Sequence, residues 1–255
     1  MKTRYAPSPT GHLHLGHVAN AIYVWGLARR AGGHVVLRME NHDRIRCRPE
    51  YEATILEDLA WLGFEPDESL YPLLRQSDRG HRYHDALEQL RRTSHVYACD
   101  CSRKRISSDQ YDGFCRSRHL IEGPGRGIRV EMNEGGDLLL RDRDGHWTYH
   151  FAVTVDDIDQ RITHVIRGED LQSTTNRQVS LRRMLGVETV PTYVHHPLIL
   201  KPNGDKLSKS AGDAGVRELR QAGLSADDVI GRAAAAVGLI DRPRSIAARD
   251  VLNLF

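Results

Sequence analysis

Residues 4–17 read RYAPSPTGHLHLGH, and an apolar run with helical spacing follows from residue 18 to residue 27. The change of pattern predicts a loop that passes into a helix at His14 and His17. Gly16 allows a ligand to approach the backbone, and the free N–H groups at a helix start attract phosphate. The stretch therefore predicts a phosphate-binding site to which both imidazoles contribute donors.

A second segment suited to phosphate lies at residues 202–210, which read PNGDKLSKS. Its glycine, asparagine and serine content is typical of a mobile turn that closes over a nucleotide. Attack on the α-phosphate of ATP spreads negative charge over the phosphate oxygens, so catalysis needs well-placed cations more than a nucleophile. We therefore expect an ATP-dependent adenylating enzyme whose catalytic residues are His14, His17, Lys206 and Lys209.

The rest of the chain alternates between strand and helix patterns, which predicts an α/β fold with an open parallel sheet. The predicted strands are residues 35–40, 149–155 and 162–166, and the predicted helices are marked by Ile55 to Leu62, Tyr83 to Leu90, residues 174–185 and the apolar positions after Ser210. Ligands of such sheets bind at the carboxyl ends of the strands. Glu40 and Arg167 are both expected at such an end.

The charges at these strand ends favour an amino acid as the activated substrate. An arginine such as Arg167 suits a carboxylate, a glutamate such as Glu40 suits an ammonium group, and Arg4 adds a second positive charge. Two arginines and one carboxylate favour a substrate with two carboxylates and one amine, namely glutamate or aspartate. The alternative is that Arg167 only forms a structural ion pair with Glu169 or Asp170.

Three of the four cysteines lie close together in the sequence, at Cys99, Cys101 and Cys115. Thiolates favour zinc in a closed tetrahedral site, which requires a fourth ligand. General zinc chemistry prefers His119 or His95 as that ligand, and the alternative is three idle thiols in a reducing compartment. The basic residues around the cluster either contact an RNA backbone or simply face water; they are Arg103, Lys104, Arg105, Arg116 and Arg118.

Length and charge fit one large domain or two modest ones, because the chain has 255 residues, a net charge of +2 and a pI near 8.4. No stretch approaches the length of a membrane span, and Pro7, Pro9 and Gly11 interrupt any apolar segment that could act as a secretory signal. We expect a cytoplasmic location, no membrane partner and a monomer. The mildly basic balance permits an RNA partner without requiring one.

The histidine turn and the lysine-serine loop, about 190 residues apart, together resemble the two signatures of class I aminoacyl-tRNA synthetases. Four segments resemble the catalytic core of glutamyl-tRNA synthetases; they are residues 4–11, 37–40, 149–153 and 165–170. The cysteine segments at 97–105 and 111–115, with the short length, resemble the glutamyl-Q tRNA(Asp) synthetases, which are short paralogues of those enzymes. That resemblance implies a Rossmann-like class I catalytic domain with an inserted zinc-containing module and a short helical C-terminal remnant.

The same resemblance implies that ATP, with Mg²⁺, activates L-glutamate before any tRNA binds. Glutamate then passes to the queuosine base in the anticodon loop of tRNA(Asp). The implied glutamate-binding residues are Arg4, Tyr5, Ala6, Pro7, Ser8, Glu40, Tyr149 and Arg167. The implied ATP-binding residues are His14, Gly16, His17 and Lys209. One structural Zn²⁺ is implied at Cys99, Cys101, Tyr111 and Cys115, with the tyrosine in place of a histidine.

The implied domains are two halves of the catalytic domain at 1–94 and 149–210, an inserted zinc-binding and RNA-contact module at 95–148, and a helical stem-contact remnant at 211–255. Val153 stands where glutamyl-tRNA synthetases usually carry asparagine, a difference shared with the short paralogues.

Three other functions stay open. The nearest is a truncated glutamyl-tRNA synthetase that charges tRNA(Glu), since the sequence does not show which end of a tRNA enters the site. A non-catalytic RNA-binding paralogue is the second. The third is a small nucleotidyltransferase, which shares the histidine signature but lacks the lysine-serine loop at this distance and the cysteine insert.

Overall fold

The computed structural model describes residues 1–67, 70–102, 105–106, 111–200 and 215–255. Its strands are β1 (Lys2–Tyr5), β2 (His34–Met39), β3 (Leu74–Arg75), β4 (Val96–Cys99), β5 (Gly127–Val130), β6 (Leu138–Arg141), β7 (His164–Gly168) and β8 (Thr192–His196). Its helices are α1 (Leu15–Arg30), α2 (Pro49–Leu62), α3 (Gly80–Thr93), α4 (Tyr149–Asp159), α5 (Thr175–Met184), α6 (Val216–Gln221) and α7 (Ala226–Ala236). The α/β class predicted from the sequence is confirmed.

The parallel strands form two small sheets that lie side by side. β1, β2 and β3 pair in that order, and β7 pairs with β8. The backbone N–H of Thr163, next to β7, donates to the Lys2 carbonyl on β1 at 2.9 Å, so β7 runs beside β1. The carboxyl ends of these strands therefore meet at one edge, where ligands of open α/β sheets bind.

Helix α1 lies at the centre of the larger core. It packs against β1, β2 and β7 on one side and against α7 and the short 3₁₀ helix Ala248–Leu254 on the other. Ile22 and Val24 of α1 are fully buried. Because apolar residues cover most of its circumference, α1 is a core helix rather than an amphipathic surface helix.

A second core joins α3, α4 and α5 to an antiparallel sheet of β4, β5 and β6. This sheet falls within residues 95–148, the segment predicted as an inserted module. Val96 pairs with Val130, and Val130 pairs with Leu138. The segment therefore forms an antiparallel sheet of its own, separate from the parallel strands.

The strand predicted at residues 149–155 is wrong, because Tyr149–Asp159 is helix α4. Every residue from Phe151 to Asp157 is buried. A helix that is buried on all sides has no single apolar face, so its sequence does not show the helical period. Its alternating apolar residues then resemble the pattern of a strand. The other predicted strands and helices are confirmed within a few residues of their ends.

Asp58 on α2 is fully buried, and neither of its carboxylate oxygens has a hydrogen-bond partner among the described residues. The nearby Arg217 and Arg220 instead form ion pairs with Glu57 at 3.6 and 3.1 Å. Burial raises the pKa of Asp58 to about 6. In an unfolded chain an aspartate ionises near pH 4, so between about pH 4 and pH 6 only the unfolded state has released this proton. The Asp58 contribution to stability therefore falls as the pH rises through that window.

We expect Asp58→Ala to raise the free energy of unfolding by about 2 kcal/mol at pH 7.5, because it removes an unpaired buried charge. The gain should disappear near pH 3, where Asp58 is protonated in both states. Urea unfolding at the two pH values measures the difference. Glu57→Ala, one residue away and half exposed, is the control and should change stability by less than about 1 kcal/mol. An equal gain at both pH values would contradict the burial argument.

Candidate functional site

A cavity of about 460 Å³ opens at the carboxyl edge of the parallel strands. All the described residues predicted to bind glutamate or ATP line it; they are Arg4, Tyr5, Ala6, Pro7, Ser8, His14, Gly16, His17, Glu40, Tyr149 and Arg167. They come from the end of β1 and the segment after it, the start of α1, the end of β2, the start of α4, and β7. The structure thus brings together residues that are up to 163 positions apart in the sequence.

The two histidines of the turn also begin helix α1. His14 is the N-cap residue, and its Nδ1 accepts the Gly16 N–H at 3.1 Å, while His17 Nδ1 accepts the His14 N–H at 3.2 Å. A nitrogen that accepts carries no proton, so the proton of each neutral ring is on Nε2. A Cβ at Gly16 would lie 2.9 Å from the His14 ring, so glycine permits this folded-back arrangement. The imidazole rings are 4.0 Å apart between centroids.

Arg167 is buried and held by several acceptors at once. Its guanidinium donates to Gln178 Oε1 at 2.7 Å, to Thr175 Oγ1 at 2.9 Å and to the Leu171 carbonyl at 3.1 Å. These partners lie on α5 and on the turn before it. Glu169, one of the two candidates for a structural ion pair, accepts the Leu198 N–H at 3.4 Å instead. Among the described residues, these contacts fix the position of Arg167 without a carboxylate, so its positive charge is available to a ligand in the cavity.

A buried ion-pair network connects Glu40 with Arg4. Glu40 Oε1 accepts from Arg38 at 3.0 Å, Arg38 donates to Asp157 Oδ1 at 2.7 Å, and the same Asp157 oxygen accepts from Arg4 Nε at 3.2 Å. The Arg38 side chain is completely buried. Burial works against the charge of Asp157, but Arg4 and Arg38 hold its pKa below the usual range.

Sequence reasoning missed the Arg38–Asp157 link. The signal was present, because Arg38 is the only charged residue inside the apolar strand β2 and a buried charge requires a partner. The sequence does not show which carboxylate that partner is, because Asp157 lies 119 positions away.

The edge of the cavity offers charges of both signs at fixed positions. The Arg4 and Arg167 guanidiniums suit two carboxylates, and the Glu40 carboxylate suits an ammonium group. Burial raises the pKa of Tyr149 to about 12, with Glu40 adding to the effect. The Tyr149 phenol is therefore protonated at neutral pH and can donate a hydrogen bond. The predicted residues Lys206 and Lys209 lie outside the described residues.

The cysteine cluster forms a compact group away from this cavity. The Cys99, Cys101 and Cys115 sulfurs all lie within 4.8 Å of one another, with Cys101 and Cys115 at 3.5 Å. The Tyr111 hydroxyl lies 3.4 Å from the Cys99 sulfur and 3.3 Å from that of Cys101. A tetrahedron with bonds of about 2.3 Å has edges of about 3.8 Å, so this donor set fits zinc.

Neither histidine preferred by general zinc chemistry joins the cluster in the described part of the chain. His119 is exposed, and His95 Nδ1 lies 3.1 Å from the Glu131 carboxylate. Tyr111, in contrast, is buried among the thiols. The geometry therefore brings together the four residues that the resemblance implied.

The basic residues around the cluster differ in their availability to RNA. Arg116 donates to Asp137 at 2.6 Å, and Arg118 donates to Asp100 at 2.6 Å. Arg105 stacks on the exposed Phe114 ring at 3.6 Å. Arg103 and Lys104 lie outside the described residues. Arg116 and Arg118 are thus engaged with carboxylates of the same module.

Comparisons with known proteins show which family the sequence resembles. The family model for the catalytic domain of class I tRNA synthetases (E and Q) matches residues 1–118 and 116–224. Glutamate--tRNA ligase 1 of Acidithiobacillus ferrooxidans is 40% identical over 262 residues, which cover 90% of this chain and 55% of the relative. Glutamate--tRNA ligase 1 of Nitrosococcus oceani is 39% identical, with 88% and 54% covered. The chain thus spans about half the length of these curated relatives.

Solved structures of glutamate-tRNA synthetases superpose on this chain. A glutamate tRNA ligase from Elizabethkingia meningosepticum, solved in complex with its amino acid, superposes with a TM-score of 0.78 at 29% identity. The match covers 100% of this chain and 64% of that one. The glutamate-tRNA synthetase of Elizabethkingia anophelis superposes with a TM-score of 0.80 at 29% identity, covering 100% and 65%. None of the helices in the described part of the chain is long and apolar enough to cross a membrane.

Proposed function

The chain belongs to the class I tRNA synthetase (E and Q) catalytic-domain family, and from this premise we propose that it activates L-glutamate with ATP and transfers the glutamyl group to RNA. The observation that carries the proposal is the single cavity in which Arg4, Glu40 and Arg167 meet the histidine start of α1. Two guanidiniums and one carboxylate complement the charges of glutamate, while the helix start complements phosphate.

In the first step, an oxygen of the glutamate α-carboxylate attacks the α-phosphorus of ATP. A new P–O bond forms, the bond from the α-phosphorus to the bridging oxygen breaks, and pyrophosphate leaves. Mg²⁺ that accompanies ATP would neutralise part of the phosphate charge. Arg4 and Arg167 each hold one carboxylate, and Glu40 accepts the ammonium group. His14 and His17 donate to phosphate oxygens, and Lys206 and Lys209 supply the cations for the charge that develops on pyrophosphate.

In the second step, a hydroxyl of the RNA attacks the carbonyl carbon of glutamyl-adenylate. An ester forms, AMP leaves, and the hydroxyl proton passes to solvent or to the AMP phosphate. The acceptor that we propose is the queuosine base in the anticodon loop of tRNA(Asp). The cysteine segments with Tyr111 and the apolar Val153, which is fully buried, support this acceptor through their resemblance to the glutamyl-Q tRNA(Asp) synthetases.

The alternative acceptor is tRNA(Glu), which the names of the relatives favour. One experiment separates the possibilities. Glutamate-dependent ATP–pyrophosphate exchange is measured without RNA, and labelled glutamate is then offered to tRNA(Asp) with queuosine, tRNA(Asp) without it, and tRNA(Glu). Transfer only to queuosine-containing tRNA(Asp) supports the proposal. Transfer to tRNA(Glu) supports a minimal glutamyl-tRNA synthetase, and the absence of exchange supports a non-catalytic RNA-binding paralogue.

The proposal includes one structural Zn²⁺ held by Cys99, Cys101, Cys115 and Tyr111. A closed set of four protein ligands leaves no position for substrate, so such an ion would contribute folding energy rather than catalysis. It would tie β4 to the turn that carries Cys115. The cluster is separate from the residues that line the glutamate cavity.

We expect Cys101→Ser to lose zinc and RNA transfer while ATP–pyrophosphate exchange stays within about twofold of the parent, because the metal stabilises the module only. Zinc content per chain and both reactions are measured on one preparation. Tyr111→Phe should also lower zinc affinity, whereas His119→Ala should not. Equal loss of exchange and transfer in Cys101→Ser would defeat this prediction, as would unchanged zinc content.

A further inference from the structure

His195 on β8 lies beside Arg167, its register partner on β7. The Arg167 Nε–H donates to His195 Nε2 at 3.3 Å. His195 is half-buried and does not line the glutamate cavity, whereas Arg167 does. The imidazole can therefore act on a ligand in that cavity only through Arg167.

The contact with Arg167 fixes the protonation state of His195. A guanidinium only donates hydrogen bonds, so the imidazole nitrogen that faces it must carry a lone pair. The proton of the neutral ring is then on Nδ1. An imidazolium has protons on both nitrogens and would present an N–H and a positive charge to the guanidinium. The contact thus requires a neutral His195.

Thr175 closes a ring of hydrogen bonds with the same two residues. Its hydroxyl oxygen accepts from Arg167 Nη2 at 2.9 Å and lies 3.3 Å from His195 Nε2. The hydroxyl proton is not used by the first contact, so it can donate to that nitrogen. Loss of the lone pair on His195 would therefore remove the acceptor of the Arg167 Nε–H and of the Thr175 hydroxyl together.

The number of donors on Arg167 makes this ring important for a ligand. A guanidinium has five N–H groups. Four of them meet acceptors among the described residues, and these acceptors are His195, Thr175, the Leu171 carbonyl and Gln178 Oε1. One N–H, on the nitrogen that also donates to Gln178, is left for a carboxylate in the cavity. Because only one donor is left, the binding of that carboxylate depends on the orientation that the other four contacts impose.

The surroundings of His195 favour its neutral form. Burial lowers the pKa of His195, the positive charge of Arg167 and the neighbouring His196 lower it further, and Asp170 on the turn after β7 opposes them. Tyr193 on β8 stacks with the imidazole at 6.3 Å between ring centroids, and α5 contributes a hydroxyl. The ring therefore gains its second proton only below the ordinary histidine pKa of about 6.5.

We propose that His195 is a positioning residue for the activation of glutamate. As a neutral acceptor it holds the Arg167 guanidinium in the orientation that binds a substrate carboxylate, and its protonation releases the guanidinium and weakens glutamate binding. This inference rests on the proposed function, and it adds a residue that controls the site without touching the ligand. Because coupling between two equilibria is reciprocal, bound glutamate must also oppose the protonation of His195.

Two substitutions separate the acceptor from the titratable ring. His195→Gln keeps an acceptor, the amide oxygen, at the same reach as Nε2 but cannot become charged, whereas His195→Ala removes the acceptor. His164→Gln is the matched control. His164 is also a half-buried histidine of the two-stranded sheet, but it lies at the opposite end of β7.

ATP–pyrophosphate exchange at pH 7.5 and saturating ATP gives the first readout. His195→Ala should raise KM for glutamate about tenfold, which corresponds to the loss of one hydrogen bond to a charged group. Its kcat should change less than about threefold, because the carboxylate contact is made in the ground state and in the transition state alike. His195→Gln and His164→Gln should both keep KM within about threefold of the parent. A KM of His195→Ala equal to that of the parent would overturn the proposal.

The pH dependence of glutamate affinity gives the second readout. Isothermal titration calorimetry at pH 7.5 and pH 5.0 measures the dissociation constant of glutamate without any contribution from the chemical step. Between these pH values the affinity of the parent should fall at least threefold more than that of His195→Gln, because only the parent can protonate this position. The comparison removes the contribution of other groups that titrate in this range, and His164→Gln should behave as the parent. An equal fall in the parent and in His195→Gln would contradict the proposal.

An NMR titration tests the pairing without a ligand, with the His195 ring proton assigned by its absence in His195→Gln. Arg167→Gln should raise the pKa of His195 toward its ordinary value, since it removes the positive charge beside the ring. An unchanged pKa would overturn the proposal. If the parent binds no glutamate while Arg167→Gln still raises this pKa, the proposed function fails and the pairing of the two residues stands.

Discussion

Replacement of Arg167 by glutamine is expected to lower kcat/KM for glutamate in ATP–pyrophosphate exchange by about a hundredfold or more. Loss of one charge from a buried pair costs about 2–5 kcal/mol, and each 1.36 kcal/mol corresponds to a factor of ten. Arg167 is positioned by Gln178, Thr175 and the Leu171 carbonyl. A glutamine cannot satisfy these acceptors and a ligand carboxylate together, so both binding and orientation suffer.

Arg183→Gln is the matched control for this change. Arg183 lies on the same helix that carries Gln178 but is exposed and does not line the glutamate cavity. It should retain exchange within about twofold of the parent. If Arg167→Gln lowered exchange no more than Arg183→Gln, Arg167 would be a structural residue and the charge argument for glutamate would fail.

Asp157→Ala is expected to have the largest effect on stability, a loss of about 3–5 kcal/mol in the free energy of unfolding. The change leaves the Arg4 and Arg38 guanidiniums buried without the oxygen that both now contact. Urea unfolding at pH 7.5 measures the loss. Exchange assayed below the unfolding transition should also show a raised KM for glutamate, because Arg4 and the Arg38–Glu40 pair lose their common anchor.

Two further variants show whether charge or shape is responsible. Asp157→Asn keeps an oxygen for both guanidiniums but removes the charge, so we expect an intermediate loss of stability and of glutamate affinity. Asp159→Asn lies on the same helix, where Asp159 pairs with Arg79 and Arg82 at a partly exposed position. It should cost less than about 1 kcal/mol. Equal losses for the variants at 157 and 159 would contradict a special role for the buried network.

The sequence predicted the position of the cavity because its evidence is local. Glu40 ends an apolar run, and Arg167 ends another, so the strand pattern alone places both at one edge of a parallel sheet. The evidence for the start of α1 is equally local, because the apolar residues with helical spacing begin just after His14 and His17. The structure shows these residues around one cavity.

The sequence did not predict features that depend on contacts between distant segments. The Arg38–Asp157 pair joins strand β2 to helix α4 across 119 positions, and no local pattern identifies such a partner. The strand assigned to residues 149–155 failed for a related reason, because burial of every residue from Phe151 to Asp157 removed the periodicity on which the assignment depended. Packing against α3, α5 and β6, rather than local propensity, determines the structure of that segment.

The sequence predicted the cysteine cluster only in part. Spacing predicted that three thiols would meet, but general ligand chemistry favoured His119 as the fourth donor. The turn that carries Cys115 brings the Tyr111 hydroxyl to the thiols and leaves His119 exposed. A ligand preference that is valid on average does not override the local path of the backbone.

A second cavity of about 550 Å³ lies beside the glutamate cavity, and the wall between the two limits the kinds of change that this region can accept. Consecutive residues, Ser8 with Pro9 and Glu40 with Asn41, face opposite sides of it. Surface loops commonly tolerate insertions. One extra residue in either of these segments, however, would turn the side chains beside it from one cavity toward the other. Variation among related chains is therefore expected here as substitution at fixed length. A library designed to alter either cavity should likewise vary side chains and keep the length of both segments constant.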